Sequence, residues 1–328
     1  MSETSDNISV VICAYTEERW EELLAAVASV RQQMVRPREI IVVVDHNPQL
    51  LARTRHEIPD VIVVENRQAR GLSGARNSGL ALAQGEVIAF MDEDATAAPD
   101  WLARLKPHYR DPQVWGVGGK INPTWLAGRP SWFPPEFDWV VGCTYRGLPQ
   151  LTQRVRNLIG CNMSFRREAF QKIGGFRSGV GRIGNRPTGC EETELCIRLQ
   201  QQQPQAQLLY EPQSQVFHRI PKDRAHWRYF VSRCYAEGLS KALIARYVGA
   251  DAGLATERTY TFHTLPWGIW HGWGDAFRRH DPSGLSRAFA IVIGLAVTTV
   301  GYVHGRLAFR LSRLQPANGS ISLTSEQL

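Results

Sequence analysis

A run of apolar residues that ends abruptly in three acids constrains the fold of this 328-residue chain more than any other feature. Val87 to Met91 has the composition of a buried strand, and Asp92, Glu93 and Asp94 follow directly. Open α/β sheets bind their ligands at the carboxyl ends of strands. Because side chains alternate along extended chain, Asp92 and Asp94 should point in a similar direction. Two such carboxylates suit Mn²⁺ or Mg²⁺, and a solvated acidic turn is the alternative.

Three apolar segments of strand character precede this one and alternate with helical patterns. They are Ile8–Ala14, Ile40–Val44 and Val61–Val64, and apolar residues recur at helical spacing between Trp20 and Gln33. This alternation indicates a parallel sheet with crossover helices. Each segment is followed by polar residues, which should therefore line one edge of the sheet. The predicted fold class is α/β, with a mixed but mainly parallel sheet flanked by helices.

Composition and charge exclude several classes of protein. The chain is 43% hydrophobic and 21% charged, which is typical of globular proteins. A formal net charge of +7 favours an anionic partner such as a nucleotide or an acidic lipid. Since basic runs with interleaved aromatics and zinc-finger spacing are absent from the sequence, we expect no nucleic-acid partner. Six scattered cysteines and a polar N-terminus without a secretion signal predict a cytoplasmic protein.

Three further segments contain candidate functional residues. The glycine-rich segment 71–79 leads into a short helix and includes Arg76, whose fixed charge suits a phosphate group. Glu191 and Glu192 stand at the start of another predicted helix, where the helix dipole alone would favour carboxylates. His218 lies near the end of a segment of strand character and is either structural or a metal ligand.

The order and spacing of four segments resemble glycosyltransferase family 2. These segments are Ala14–Glu18, Ile40–Asp45, Ala75–Gly79 and Asp92–Asp94. Members of the family are inverting enzymes with the Rossmann-like nucleotide-sugar fold called GT-A, and the resemblance covers the first two thirds of the chain. It implies a nucleotide-sugar-binding half at residues 1–120 and an acceptor-binding, catalytic half at residues 121–222.

The resemblance also implies roles for individual residues. The donor, expected to be a UDP-sugar, would be contacted by Ala14, Tyr15, Glu17, Asp45, Arg76, Asp92, Glu93, Cys161 and Asn162. Asp94 would coordinate Mn²⁺ or Mg²⁺, with Asp92 and His218 close to the metal. In the family a Glu-Asp pair stands where this chain has Glu191 and Glu192, and the Asp is the general base. Glu192 occupies the position of that Asp, and Glu191 is the alternative base.

The last third of the chain, residues 223–314, departs from the catalytic pattern. Within residues 267–279, three tryptophans at intervals of three precede two arginines, as in helices that lie at a membrane interface. The uncharged run Ala288–Val303 is slightly shorter than the ~20 residues of a spanning helix. We predict a helical extension that attaches to the anionic cytoplasmic face of a membrane, with a buried helix and a true span as alternatives. Residues 315–328 are predicted to be disordered.

These expectations together describe an inverting glycosyltransferase that moves a sugar from a nucleotide-sugar to an acceptor hydroxyl. The acceptor would be a carbohydrate or lipid-linked, in the synthesis of cell-envelope polysaccharide or glycolipid. A sugar nucleotidyltransferase is one alternative, but such enzymes usually have a glycine-rich loop where this chain has Tyr15–Glu18. The other is a non-catalytic carbohydrate-binding scaffold. The aromatic-rich stretch 122–147 would either stack on sugar rings or cover the core.

Overall fold

The N-terminal half alternates strands and helices, as its sequence predicts. A computed structural model describes residues 7–182, 189–249 and 258–314 of the chain. The first elements are β1 (Ile8–Ala14), α1 (Trp20–Arg31), β2 (Glu39–Val44), α2 (Pro48–Glu57), β3 (Ile62–Glu65), α3 (Leu72–Leu82) and β4 (Val87–Asp92). β1 pairs in parallel with both β2 and β4, and β2 pairs in parallel with β3. The predicted parallel sheet with crossover helices is confirmed.

The second half of the chain adds strands to the same sheet. Its elements are β5 (Ala95–Ala97), α4 (Trp101–Leu105), β6 (Val114–Trp125), β7 (Gln153–Arg154), β8 (Met163–Arg166), α5 (Arg167–Ile173), α6 (Glu191–Gln202) and β9 (Gln207–Ile220). In the described residues the strand order is β3-β2-β1-β4-β8-β6-β9-β5, and β7 pairs with β9. β8 is antiparallel to both β4 and β6. β6 continues across position 120, so the two predicted halves share one sheet.

Alternate residues of β1 belong to two separate hydrophobic cores. Val10 and Ile12 pack in the larger core with α1, whereas Val11 and Cys13 pack in the core on the other face. On that second face, a Cβ added to Gly79 would lie 2.5 Å from Val11 Cγ1. Glycine therefore allows α3 to press directly against the sheet, which fixes the position of the residues that α3 presents at the sheet edge.

After the sheet, the part of the chain that the structure describes forms three α-helices. They are α7 (Trp227–Val248), α8 (Leu265–Arg278) and α9 (Ser283–Leu314). α9 lies along α7 at almost backbone-to-backbone distance. A Cβ on Gly238 of α7 would be 2.1 Å from the Thr298 carbonyl oxygen, and a Cβ on Gly301 of α9 would be 2.2 Å from the Tyr235 carbonyl oxygen. The predicted helical extension is confirmed, and it is docked on the rest of the protein.

One side of this extension is apolar and exposed. Ser283–Ala308 is long and apolar enough to cross a membrane, with a mean hydropathy of 1.7 and 33% of that stretch buried. The exposed apolar side chains of the two last helices are Trp267, Trp270, Trp273, Phe277, Leu285, Phe289, Val292, Val300, Val303 and Leu307. We call this set the α8–α9 apolar face. The apolar run Ala288–Val303 thus belongs to a helix that is buried on one side only. The tail 315–328, predicted to be disordered, lies outside the described residues.

Candidate active site

The carboxyl ends of β1, β2 and β4 open into a cleft of about 440 Å³. The cleft is closed on its far side by α6, α7 and α9. Eleven of the residues predicted for the site line it, namely Ala14, Tyr15, Asp45, Arg76, Asp92, Glu93, Asp94, Cys161, Glu191, Glu192 and His218. The fold therefore brings together residues from both halves of the chain.

Two of the predicted donor-binding residues do not line the cleft. Glu17 lies exposed in the short 3₁₀ turn before α1. The side chain of Asn162 is completely buried, where its Nδ2 donates to the carbonyl oxygens of Lys120 and Ser214, each at 3.0 Å. Its Oδ1 accepts from Trp101 Nε1 at 2.8 Å. This side chain joins β6, β9 and α4 in the core, so in this structure it does not face the cleft where the donor is expected.

The acidic turn is placed beside His218 by strand pairing. After β4 ends at Asp92, the chain turns through Glu93 and Asp94 and continues into β5, which pairs antiparallel with β9 so that Ala95 faces His218. This register puts Asp94 Oδ1 3.0 Å from His218 Nε2. Two residues 124 positions apart in sequence (218 minus 94) thus form one polar pair at the floor of the cleft.

Two arginines also reach Asp94. Arg224 belongs to a cationic segment after β9 that the sequence suggests could close over a diphosphate or be solvated, whereas no sequence pattern pointed to Arg19. Arg19 Nη1 lies 2.9 Å from Asp94 Oδ2, and Arg224 Nη2 lies 3.6 Å from the same oxygen. Burial alone would raise the pKa of Asp94, but His218, Arg19 and Arg224 outweigh it and hold this pKa well below its usual range. Burial raises the pKa of the neighbouring Glu93 to about 7, with a further contribution from the charge of Asp94.

Asp94 and His218 are joined by a hydrogen bond, and their separation also fits two ligands of one metal ion. Adjacent ligands of an octahedral ion with bonds of about 2.1 Å are about 3.0 Å apart, which matches the Oδ1–Nε2 distance. A carboxylate beside an imidazole suits Mn²⁺ better than Mg²⁺. Among the described residues, no group of three His, Cys, Asp or Glu side chains has metal-binding geometry. The protein therefore offers two ligands here, and substrate oxygens or water would have to supply the others.

Arg76 is buried at the centre of the cleft wall, with only 2% of its surface exposed. Its Nη1 lies 2.7 Å from Glu191 Oε1, and its Nη2 lies 3.3 Å from Asp92 Oδ1 and 3.2 Å from the carbonyl oxygen of Gly160. Such a buried guanidinium needs partners of this kind, because an unpaired charge in the interior is costly. Arg76 thus connects α3, the acidic strand end and the start of α6.

The two adjacent glutamates have different environments. α6 begins at Glu191, directly after Cys190, which has a left-handed backbone with φ 71°. Glu191 is buried against Arg76, whereas Glu192 is partly exposed and lines the cleft. Burial, followed by the charge of Glu191, raises the pKa of Glu192 well above its usual value, and Arg76 offsets only part of this effect. Glu192 is therefore a stronger base than an ordinary carboxylate.

The carboxylate of Asp45 is held in place at the end of β2. Its Oδ1 accepts from Asn66 Nδ2 at 2.6 Å, and its Oδ2 accepts from the backbone N–H of Gly71 at 2.9 Å. His46 Nδ1 also lies 2.9 Å from Asp45 Oδ1. Since a carboxylate has about four acceptor positions, these three contacts orient Asp45 and leave about one position for a ligand. Its side chain lines the cleft and remains able to accept a hydrogen bond from a ligand.

The aromatic-rich stretch 122–147 contributes side chains both to the core and to the cleft wall. Phe133 and Phe137 are almost completely buried, and Phe137 also forms part of the cleft wall. Trp139 and Tyr145 line the cleft as well, and Trp139 Nε1 donates to the hydroxyl of Tyr260 at 2.9 Å. The stretch covers the core and also gives the cleft an aromatic wall.

Comparison with known proteins identifies the family of this chain. The sequence pattern of Glycosyl transferase family 2 matches residues 9–174. A glucosyl-dolichyl phosphate glucuronosyltransferase of Haloferax volcanii is 37% identical over 241 residues, which are 72% of this chain and 77% of that protein. The succinoglycan biosynthesis protein ExoM of Rhizobium meliloti is 25% identical over 239 residues, 71% of this chain and 73% of that protein.

A solved structure shows the same fold. The mannosyltransferase PcManGT from Pyrobaculum calidifontis, in complex with GDP-Man and Mn²⁺, superimposes with a TM-score of 0.56 at 18% identity, covering 90% of this chain and 87% of that one. The fold is GT-A, as the resemblance in sequence implies. The chain belongs to glycosyltransferase family 2 and is a glycosyltransferase.

Proposed function

We propose that this protein is an inverting glycosyltransferase that transfers a sugar from a UDP-sugar to a hydroxyl group of a lipid-linked acceptor. The observation that carries the proposal is that the Asp94–His218 pair and the basic carboxylate Glu192 line one cleft at the carboxyl ends of the parallel strands. Membership of a glycosyltransferase family argues against both the sugar nucleotidyltransferase and the non-catalytic scaffold.

The nucleotide would bind at the ends of β1 and β2. Tyr15 follows β1 and supplies an aromatic ring, while Asp45 follows β2 and supplies an oriented acceptor. The uracil ring has an N–H donor that this carboxylate can accept. Guanine has such donors as well, and the GDP-Man in the similar solved structure makes GDP the donor nucleotide to test against UDP.

The diphosphate would lie over the acidic turn. Asp94 and His218 would hold a divalent ion there, and this ion would neutralise the charge that develops on the departing nucleoside diphosphate. Arg19 and Arg224 would remain beside it as additional positive charges, since both already contact Asp94. Arg76 would orient Asp92, which faces the cleft from the same strand end.

Glu192 would act as the general base. As the acceptor hydroxyl attacks the anomeric carbon, Glu192 takes its proton, and the bond to the diphosphate oxygen breaks on the opposite side of the sugar. One displacement of this kind inverts the anomeric configuration and needs no covalent intermediate. The ion pair with Arg76 makes Glu191 less suitable, because proton uptake there would leave a buried cation without its partner.

Two observations support a lipid-linked acceptor at a membrane. The relative from Haloferax volcanii is named for a dolichyl phosphate-linked sugar, and the one from Rhizobium meliloti for a polysaccharide. In this chain, the α8–α9 apolar face presents tryptophans to the surroundings, as amphipathic helices do where they enter a membrane interface. We therefore propose attachment to the cytoplasmic face of a membrane through that surface.

Calorimetry with nucleotides tests the donor part of the proposal. UDP, GDP and dTDP would be titrated into the full chain with and without Mn²⁺. Binding of UDP that requires Mn²⁺ supports the assignment, whereas a preference for GDP contradicts the UDP-sugar and leaves the fold and base unchanged. NMR of the anomeric proton would then give the configuration of the transferred sugar. If the product has the same anomeric configuration as the donor, the inverting mechanism is wrong.

A further inference from the structure

The thiol of Cys143 lies behind the His218 ring, and the proposed chemistry does not use it. Cys143 is 0% exposed, so a substrate in the cleft cannot contact it. Its Sγ lies 3.6 Å from His218 Nδ1 and 3.8 Å from the carbonyl oxygen of Val141. On the opposite side of the ring, His218 Nε2 lies 3.0 Å from Asp94 Oδ1. Four groups are thus connected in series, from a backbone carbonyl to the carboxylate of the acidic turn.

The backbone on both sides of Cys143 holds the thiol against the imidazole. Gly142, with φ 78°, ends the preceding 3₁₀ helix, and a Cβ added to it would lie 3.5 Å from His218 Cε1. Thr144 is bonded twice to Ile121 of β6, since its N–H donates to the carbonyl oxygen at 3.0 Å and its Oγ1 accepts from the N–H at 2.8 Å. Because β6 pairs with β9, which contains His218, one sheet positions both groups.

The contacts of the ring define which nitrogen of His218 carries hydrogen. An ionised carboxylate accepts hydrogen bonds and cannot donate one, so Nε2 is the donor to Asp94. In a neutral imidazole the other nitrogen is then an acceptor. Among the described residues, the partner of Nδ1 is Cys143, whose S–H group can donate to it. Burial raises the pKa of the Cys143 thiol well above its usual value, which keeps that hydrogen in place.

Binding a metal ion through Nε2 requires the opposite tautomer. A neutral imidazole ligates through the nitrogen without hydrogen, so Nδ1 must then be the donor. Water takes the proton from Nε2 and supplies one to Nδ1, which leaves the charge of the ring unchanged. A buried N–H at Nδ1 needs an acceptor, and a thiol sulfur can accept as well as donate. Cys143 Sγ can accept from Nδ1 while its own hydrogen turns to the carbonyl oxygen of Val141.

We propose that Cys143 is a positioning residue that lets His218 change from a partner of Asp94 into a ligand of the divalent ion. This inference rests on the proposed metal site and adds to it the group that supports its histidine. A carboxylate or carbonyl beside Nδ1 would only accept and would favour the ligating tautomer at all times. The thiol bonds to Nδ1 in both tautomers, so the bond between Asp94 and His218 can form before the ion and the nucleotide enter.

The first test measures how much Mn²⁺ increases the affinity of the full chain for UDP, by calorimetry with and without the ion. Cys143→Ala leaves Nδ1 without this partner and should reduce the increase roughly 10- to 100-fold. Cys143→Ser keeps a group that both donates and accepts, and should restore part of the increase. Cys196→Ala is the matched control, because it removes another thiol that is 0% exposed, from the core on the other face of the sheet. It should behave like wild type.

The second test reads the tautomer directly, which a purely structural role of the thiol would not change. ¹⁵N NMR of histidine-labelled protein identifies the His218 signals by comparison with His218→Ala. In wild type we expect hydrogen on Nε2 without a divalent ion and on Nδ1 with saturating Mg²⁺ and UDP. In Cys143→Ala, the same concentrations of Mg²⁺ and UDP should leave most of the protein with hydrogen on Nε2.

The outcomes separate this inference from the proposed function. If His218→Ala loses the effect of Mn²⁺ and Cys143→Ala keeps it, the metal site stands and the role of Cys143 is wrong. If both variants keep it, the proposed metal site fails, and this inference fails with it. An equal loss of UDP affinity with and without Mn²⁺ in Cys143→Ala would also contradict the inference, as would hydrogen on Nδ1 in wild type without an ion. If UDP does not bind, the donor assignment fails, and NMR with Mg²⁺ alone decides the role of Cys143.

Discussion

Arg76 Nη1 lies 2.7 Å from Glu191 Oε1, and this ion pair separates the roles of two adjacent glutamates. Glu191 becomes a buried structural partner, while Glu192 is turned toward the cleft with a raised pKa. One helical position is about 100° of rotation, so residues next to each other in α6 necessarily face different surroundings. The sequence contains two candidate bases, and the ion pair of Glu191 with Arg76 is our reason for proposing Glu192.

Glu192→Gln should abolish most transfer without affecting donor binding. Removal of a general base typically lowers kcat by roughly 10²- to 10⁴-fold. The affinity for UDP and Mn²⁺ should stay as in wild type, since Glu192 is placed on the acceptor side. Steady-state kinetics and calorimetry on the same preparation would measure both quantities, and a variant with more than a tenth of wild-type kcat would contradict the assignment.

Glu191→Ala should act on stability first. It leaves the buried guanidinium of Arg76 without its main partner, and breaking a buried ion pair in this way costs roughly 3–5 kcal/mol. Urea denaturation of this variant and of Glu192→Gln would compare the two free energies of unfolding. If Glu191→Ala is as stable as wild type and has lost only its turnover, Glu191 is the general base and our assignment of the two residues is reversed.

The rate should depend on pH through the raised pKa of Glu192. The base works only when ionised, so kcat should fall as the pH decreases through a value above the 4.5 of an ordinary glutamate. Because ionisation of this carboxylate is unfavourable in the folded state, the same shift should lower the free energy of unfolding as the pH rises above 4.5. A pH profile of Glu192→Gln provides the comparison, and an identical acidic limb in this variant would exclude Glu192 as its origin.

Asp94→Asn should uncouple nucleotide binding from the metal. The amide is a much weaker ligand than the carboxylate, and Arg19 and Arg224 would then lie beside a neutral group. We expect UDP to bind Asp94→Asn equally with and without Mn²⁺, with activity lost. His218→Ala is the companion variant, and retention of full Mn²⁺ dependence in both would remove the proposed metal site.

Gly238→Ala should destabilise the docking of α9 on α7. The added Cβ would lie 2.1 Å from the backbone oxygen of Thr298, which cannot move without displacing the helix. Overpacking of this kind costs roughly 1–3 kcal/mol. Gly274→Ala in α8 is the matched control, because within the described structure its Cβ would have no neighbour within 4 Å. Alanine there should raise stability by about 1 kcal/mol through helix propensity, and thermal denaturation would show shifts of opposite sign.

Replacing Trp267, Trp270 and Trp273 together by serine should weaken membrane binding. These side chains are 56%, 71% and 53% exposed, so the change removes apolar surface without opening the core. Flotation with vesicles that contain anionic phospholipid would compare the triple variant with wild type. The activity of both toward a water-soluble acceptor would serve as a control for folding, and equal flotation would contradict attachment through the α8–α9 apolar face.

Much of the fold could be predicted because local patterns determine it. β1 occupies Ile8–Ala14 as predicted, and the helical spacing after Trp20 does form α1, although it ends at Arg31 instead of Gln33. These are buried strands of β-branched residues and an amphipathic helix, whose signals lie within a few residues of each other. β9 has 14 residues, and the sequence predicts only its last part, around His218, as a strand. Its first part mixes polar and apolar residues without a clear period.

The relationships across the sheet could not be read from local patterns. Asn162 lies in the core because it precedes β8 and its side chain bonds to β6 and β9. Arg19 contacts Asp94 because α1 begins at the sheet edge where β4 ends. Packing between distant segments decides these positions, and one sequence contains no direct record of it.

α9 lines the cleft with Thr298, Thr299 and Tyr302 and has exposed apolar side chains on its other side. The part of the chain that would anchor the enzyme is therefore also a wall of its reaction chamber. Cutting away this helix to obtain a more soluble enzyme would open the chamber to bulk water. It would also uncover the surface of α7 around Gly238, where α9 packs. If the enzyme is attached in this way, one side of α9 contacts lipid and the other side contacts the cleft. A substitution that changes how α9 binds lipid could then alter turnover without contacting a reacting atom.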